Sequence, residues 1–268
     1  MMNKSSVQQF IVPDTMLLVT LLILLFSVAS TMPIQSHESS HWMPSALAIL
    51  IKENGNFQNC YLYFSSTRTA TFPDVVELVV ESKDTISIMA IYGMNDGVEC
   101  IGIRTDDDSD GEPVYSINDC AITSLVVLDS ISLRVILNGL DTLVYTRIDR
   151  GIKTQDATQD FIRNYTIAGE YITASNDLLV LLPDGSCSLG VKKTKYEISM
   201  EQVVTGFDCV VFDTDIFNEG TCRYLFRRFT TFTELYPVHN TDELAGDQLI
   251  RLLLDPVIVR NTSTAGSR

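Results

Sequence analysis

The chain has 268 residues, 46% of them hydrophobic, with 19 Lys and Arg against 34 Asp and Glu and a formal net charge of −15. That length and apolar content suffice for one substantial core. Phosphate contacts need Lys and Arg, so the charge argues against nucleic acid as a partner, predicts attraction of cations, and suits solubility in a secreted fluid.

In chain order, Lys4 is the one basic residue ahead of an apolar run over 16–29. The run falls short of the roughly 20 residues a helix needs to cross a bilayer. Ser27-Val28-Ala29 has the small-x-small pattern of a signal peptidase site. A cleaved signal peptide over 1–29 is therefore expected, and with it an extracellular, secreted protein; an uncleaved anchor is the alternative. No second apolar stretch of spanning length follows, so the mature chain is expected to be soluble, with no membrane span. Cleavage would remove one Lys and one Asp, leaving the net charge unchanged.

Residues 30–45 are polar and read as a leader. An additional strand hairpin is expected over 46–73, from the runs at 46–51 and 60–64 and a Glu53-Asn-Gly-Asn turn between them. Short strand-like runs follow at 75–80, 85–92, 98–104, 121–128, 132–137 and 142–147, with Asn138-Gly139 as a tight turn before the last. Residues 149–160 are polar and read as a connection. Further runs occupy 165–171, 178–182, 187–191, 196–200, 207–212 and 222–229, with Pro183-Asp-Gly as a turn. The residues are Val, Ile, Leu, Tyr and Thr in short stretches between turns, the pattern of an antiparallel barrel or sandwich. Over 242–254, Leu244, Leu249, Leu252 and Leu253 recur at helical spacing, Thr241 is an N-cap candidate and Asp255-Pro256 ends the segment. Residues 257–268 read as a tail. Gly97-Val-Glu-Cys-Ile and Gly206-Phe-Asp-Cys-Val match at a constant offset over a short stretch, which reads as two similar strand-turn units and not as a duplicated domain.

Cys60, Cys100, Cys120, Cys187, Cys209 and Cys222 all lie beyond the expected signal, and an even number in an exported chain allows up to three disulfides with the pairing open. No Cys-x-x-Cys occurs, and His37, His41 and His239 do not cluster with the cysteines, so no metal site is expected. Asn164 and Asn261 begin N-glycosylation acceptors. Asp106-Asp-Asp-Ser-Asp110-Gly111 matches the first half of a calcium loop. The position that needs a bidentate Glu is Ile117, and an acidic hairpin turn is the better reading. No phosphate loop is present, no cofactor is implied, and three histidines give a hydrolytic triad little to draw on. Arg223, Arg227 and Arg228 form a basic cluster, and in a strand Arg223 and Arg227 share a face. The plain reading is a solvent-facing or paired strand. The functional one is an Arg inside a barrel that meets a carboxylate through its planar fork.

The stretch Ile88-Met-Ala-Ile-Tyr92-Gly-Met-Asn95-Asp96-Gly-Val-Glu-Cys100-Ile-Gly-Ile resembles the tick salivary lipocalins, the histamine-binding family. Asp74-Val-Val-Glu-Leu78 sits where that family has its first short helix. Tyr196-Glu-Ile-Ser-Met200, Asp208-Cys209-Val-Val and Asn218-Glu-Gly220-Thr-Cys222-Arg-Tyr-Leu-Phe are similar to later blocks. The resemblance covers roughly 74–254. It implies an eight-stranded barrel with a helix on its side that sequesters a biogenic amine or a lipid mediator, with Tyr92 and Asp96 near the pocket. Three features depart from it. Cys60 has no counterpart, no cysteine follows Cys222, and the family's Glu that faces an amine corresponds to Arg223, which would favour a carboxylate.

The expectation is thus an all-β chain with one C-terminal helix, a lipocalin-like barrel over 74–256, with a β-sandwich as the alternative. Its function would be non-catalytic binding of a small apolar or amine ligand inside the barrel, with Arg223, Tyr92 and Asp96 as ligand residues. A protein-interaction domain and a secreted hydrolase are the competing readings.

Overall fold

In the computed structural model, residues 39–68, 71–92, 96–107, 111–118, 120–137, 141–149, 156–204, 207–238 and 256–262 are described. The expected signal peptide, His37, His239, the centre of the acidic turn and the expected helix over 242–254 lie outside them. The described chain is mainly β, as the run of short alternating strands predicts, but it forms two closed barrels where one was expected over 74–256.

The first barrel comprises β1 (Ser39–Pro44), β2 (Val75–Val80), β3 (Thr85–Tyr92), β4 (Asp96–Asp107), β5 (Pro113–Ile117), β6 (Ile122–Val127), β7 (Ser132–Leu137) and β8 (Thr142–Arg147). Each strand pairs antiparallel with the next. β1 returns to β8, with Trp42 opposite Arg147 and Pro44 opposite Tyr145. The second comprises β9 (Gly169–Thr173), β10 (Leu178–Leu181), β11 (Ser186–Leu189), β12 (Lys192–Val204), β13 (Phe207–Phe212), β14 (Arg223–Arg228), β15 (Phe232–Pro237) and β16 (Val257–Asn261). It closes through Val259 opposite Thr173 and Arg260 opposite Ile172. Each sheet closes on itself, so the sandwich alternative does not apply. The leader and tail readings at 39–44 and 257–261 are corrected, because those residues are the strands that close the two barrels.

Strand periodicity sorts side chains between inside and outside. On β3, Ile86, Ile88 and Ala90 are buried and the alternate residues are half-exposed; β7 does the same with Leu133, Val135 and Leu137. With Trp42, Leu125, Tyr115 and Tyr145 they fill the first barrel. Packing there is tight at Gly102, where a Cβ would lie 2.7 Å from Ile86 and 3.3 Å from Tyr115. The second interior is rich in aromatic rings: Tyr171, Tyr196, Phe212, Tyr224 and Phe226 are all buried. Eight strands leave an interior just wide enough for side chains to fill.

The expected strand hairpin over 46–73 is instead two helices, α1 (Ser45–Asn54) and α2 (Phe57–Ser66), inserted between β1 and β2. The turn residues serve both readings. Gly55 takes φ 64 and ends α1, while the Asn56 side chain accepts from Asn59 N at 2.8 Å and starts α2. Asp74 through Leu78, the place of the resembled family's short helix, lead into and form β2. The polar connection at 149–160 and the strand expected at 165–171 are corrected too. α3 (Ala157–Thr166) occupies that stretch and β9 follows. Asp156 accepts from Gln159 N at 3.0 Å, and Phe161 and Ile162 bury one face.

The helices close one end of the second barrel. Both carboxylate oxygens of Asp208, on β13, accept from the first amides of α2: Phe57 N at 2.9 Å and Gln58 N at 2.7 Å. The Gln159 side-chain amide brackets the backbone of Ile198, and Arg228 Nη1 donates to Thr166 O, at the C-terminus of α3, at 2.7 Å. Met43, Leu47, Ile51, Phe57 and Phe161 join the second barrel's own interior residues in one core. The similar segments around Cys100 and Cys209 fall on β4 and β13, the fourth strand of one barrel and the fifth of the other, so they are not equivalent positions.

Of up to three disulfides, one is formed among the described residues, Cys100–Cys120. Cys60, Cys187, Cys209 and Cys222 form no disulfide. The topology keeps them apart. Cys187 points into the second barrel, and Cys209 lies on the outer face beside Phe207 and Leu225. Cys222 is placed beside Phe212, three residues up the strand from Cys209. Burial pushes the Cys60 thiol up to about 11 and those of Cys187 and Cys209 up to about 12. Only the thiolate reacts. Iodoacetamide at neutral pH is therefore expected to label Cys222 first and to spare the other three until the protein is denatured. Peptide mapping by mass spectrometry reads this, and native labelling of Cys187 at the rate of Cys222 would contradict it.

Candidate functional site

The three residues expected to contact ligand do not come together. Tyr92 and Asp96 face each other across β3 and β4, at the end of the first barrel where α1 and α2 are inserted. Asp96 is exposed. The Tyr92 hydroxyl is buried without a hydrogen-bond partner among the described residues, and burial, then Asp74, push its pKa up. The chain over 71–74, ahead of β2, lies at this barrel end, with Phe72 buried in the first core. It is pinned by Arg68 on Asp74 at 3.0 Å, by Tyr61 OH on Asp74 at 3.0 Å and by Tyr145 OH on Pro73 O at 2.6 Å. This end is a closure.

Arg223 belongs to the other barrel and faces outward. On β14, Tyr224 and Phe226 belong to the interior core, whereas Leu225 belongs to an outer cluster with Phe207 and Cys209. Alternation puts Arg223 and Arg227 on the side of Leu225. The rings took the inside, so the case for an anionic ligand built on an inward Arg223 lapses.

Among the described residues, no helix covers the opposite end of the second barrel. The turn between β9 and β10, the turn between β11 and β12, the loop between β13 and β14 and the start of β16 surround a pocket of about 440 Å³. Leu189, Val191, Ile216, Phe217 and Val257 supply its apolar wall, and Asp177, Lys192 and Glu219 its charged groups. Val191, at the tip of a turn, is 98% exposed. Phe217 forms the floor, edge-on to Phe212 at 5.8 Å and to Tyr224 at 5.2 Å.

The loop that carries Phe217 is held by a small polar lattice. The Asp215 carboxylate accepts from Glu219 N at 3.1 Å and Gly220 N at 2.8 Å. Lys192 Nζ donates to Ile216 O at 3.0 Å and to Asn218 Oδ1 at 2.8 Å. Asn218 takes φ 61, the left-handed conformation Asn tolerates in turns. Lys192 is held by these neutral oxygens and keeps its positive charge, and Asp177 and Glu219 outnumber it and leave the rim negative. An apolar wall, a few polar groups and a volume of several hundred Å³ are the ordinary attributes of a small-molecule site. The sequence signal was there in Gly190-Val191, an apolar residue at a turn tip, and it reads as a strand end without the structure.

Elsewhere, Asp208 is the acid whose environment most disfavours its charge. Perturbed acids mark active sites when they sit in a cleft, but Asp208 is fully buried with both oxygens on backbone amides. No group of three or more His, Cys, Asp or Glu placed to hold a metal ion occurs among the described residues. Among them, no helix is long and apolar enough to cross a membrane. Asn164 is exposed on α3, and Asn261 ends β16 with its amide donating to Thr230 O at 3.1 Å. No family model matches the chain, and neither a curated protein nor a solved structure matches it.

Proposed function

We propose that this is a secreted, non-catalytic binding protein whose second barrel takes a small amphipathic amine in the pocket at its mouth, the end opposite the described helices. The observation that carries the reading is the pairing of an apolar wall with two rim carboxylates, Asp177 and Glu219, in the pocket at the barrel end opposite the described helices. An aromatic or aliphatic body would lie against Phe217, Leu189 and Val257, and its ammonium would meet the rim. The net charge of −15 adds long-range attraction for a cation. Affinity would come from apolar area removed from water, about 25 cal/mol per Å², with the carboxylates setting orientation.

Calorimetric titration with tryptamine, and with 3-ethylindole as its uncharged counterpart, tests this. The full chain is expected to bind tryptamine at one site, and Asp177→Asn with Glu219→Gln is expected to weaken it at least tenfold. Equal affinity for 3-ethylindole, or no effect of the double variant, would remove the mouth from consideration.

A further inference from the structure

A second concave surface lies on the outside of the second barrel, across β10, β11 and β12, and nothing in the mouth reading uses it. The groove measures about 670 Å³. Its walls follow from strand pairing. On β10 and β11, Val180 lies opposite Ser188, and on β11 and β12, Ser188 lies opposite Lys193 and Ser186 opposite Lys195. Leu182 N donates to Ser186 O at 2.9 Å, which sets Leu182 at the head of the second row. Their sequence neighbours Leu179, Leu181, Cys187 and Tyr196 belong to the interior core, so these side chains face out. The outer face therefore carries two parallel rows, Val180–Ser188–Lys193 and Leu182–Ser186–Lys195. Each runs from an apolar side chain through a hydroxyl to an ammonium over about 10 Å, at the usual strand spacing of 4.7–4.9 Å.

In a chain this acidic, Lys193 and Lys195 side by side on one outer face, next to Lys192 in sequence, form a local basic cluster. Neither Lys193 nor Lys195 forms a side-chain hydrogen bond or ion pair to the described residues. Lys195 is flanked by Asp213 across the strand pair and by Asp184, whose carboxyl is held below its usual range first by Ser186 and also, more weakly, by Arg163 and Lys195. Lys193 has no such neighbour in the groove. Leu182 is 46% exposed beside it all, an apolar side chain left in water.

We propose that this groove binds a single-chain anionic amphiphile, a free medium-chain carboxylate, with its head group on Lys193 and its chain along Val180 and Leu182. Complementarity of charge and of apolar surface carries the assignment, and the groove differs from the mouth in both place and sign of charge. Laurate, 1-dodecanol and tryptamine, each titrated calorimetrically below micelle formation into the full chain, into Lys193→Gln with Lys195→Gln, and into Leu182→Asp, test it. Laurate is expected to bind at one site, to lose at least tenfold in both variants, and to outbind 1-dodecanol at least tenfold. Tryptamine affinity is expected to stay the same in both variants, so failure of the groove and failure of the mouth are read separately. The substituted lysines are exposed, and the double Gln variant decides alone if Leu182→Asp does not fold. Laurate binding that is unchanged in the lysine variant, matched by the alcohol, or absent would overturn the proposal.

Discussion

At pH 4, Asp208→Ala is expected to lower stability by about 3 kcal/mol. The carboxylate satisfies two amides that no turn of α2 could satisfy, in a place water does not reach. Losing a helix N-cap costs about 1 kcal/mol, and leaving a buried donor unpaired about 1–3. The same residue should set a pH dependence. Burial pushes its pKa from 3.8 up to about 6, against the pull of the Gln58 and Phe57 amides. A folded pKa above the unfolded one means the folded state holds the proton more tightly. The contribution of Asp208 is therefore fully present below about pH 4 and is lost as pH rises through 6, by roughly 3 kcal/mol for a shift of this size. Urea unfolding at pH 4, 5, 6 and 7 should show this decline in the wild type and a flatter curve for Asp208→Asn. Parallel curves for the two proteins would show that Asp208 does not titrate in this range.

Removing the Cys100–Cys120 disulfide has an expected cost of the same size. The link joins β4 to the turn between β5 and β6, across 20 residues of sequence. A loop of that length carries about 3 kcal/mol of closure entropy in the unfolded chain. The disulfide and the pinned chain over 71–74 act at the same end of the first barrel, so Cys100→Ser with Cys120→Ser should loosen that end in particular. Urea unfolding measures the loss. Hydrogen exchange should show the amides around Tyr92 opening first, and a change below about 1 kcal/mol would mean that strand pairing alone holds this end.

Much of the β content could be read from residues such as Ile86, Ile88 and Ala90, whose alternation fixes both strand and face. Closure could not. Trp42 meets Arg147 and Val259 meets Thr173 through pairings between distant segments, and a period of two carries no record of which strand is the neighbour. The short strands β1, β5, β15 and β16 escaped for a related reason: Ser39–Pro44 and Phe232–Pro237 mix polar and apolar residues and end in Pro. The helix α1 was misread because Ala46 to Ile51 are apolar at every position, a pattern that suits a buried strand or a buried helix equally. At Arg223, alternation correctly tied it to Arg227. Which face is inside was decided by the competing bulk of Tyr224 and Phe226. Asp208 was visible as the one acid in Phe-Asp-Cys-Val-Val-Phe, and a charge in such a strand is a reason to look for a buried partner. The partner here is the start of α2, where the apolar run at 60–64 suggests a strand.

The proposed amine site at the mouth of the second barrel is tested most directly by amide chemical-shift mapping of the full chain during titration with tryptamine. Saturable shifts are expected at residues 190–192, 216–219 and 257, lost in Asp177→Asn with Glu219→Gln. Shifts centred on Tyr92 and Asp96 in the first barrel, or none at the mouth at saturating tryptamine, would contradict it.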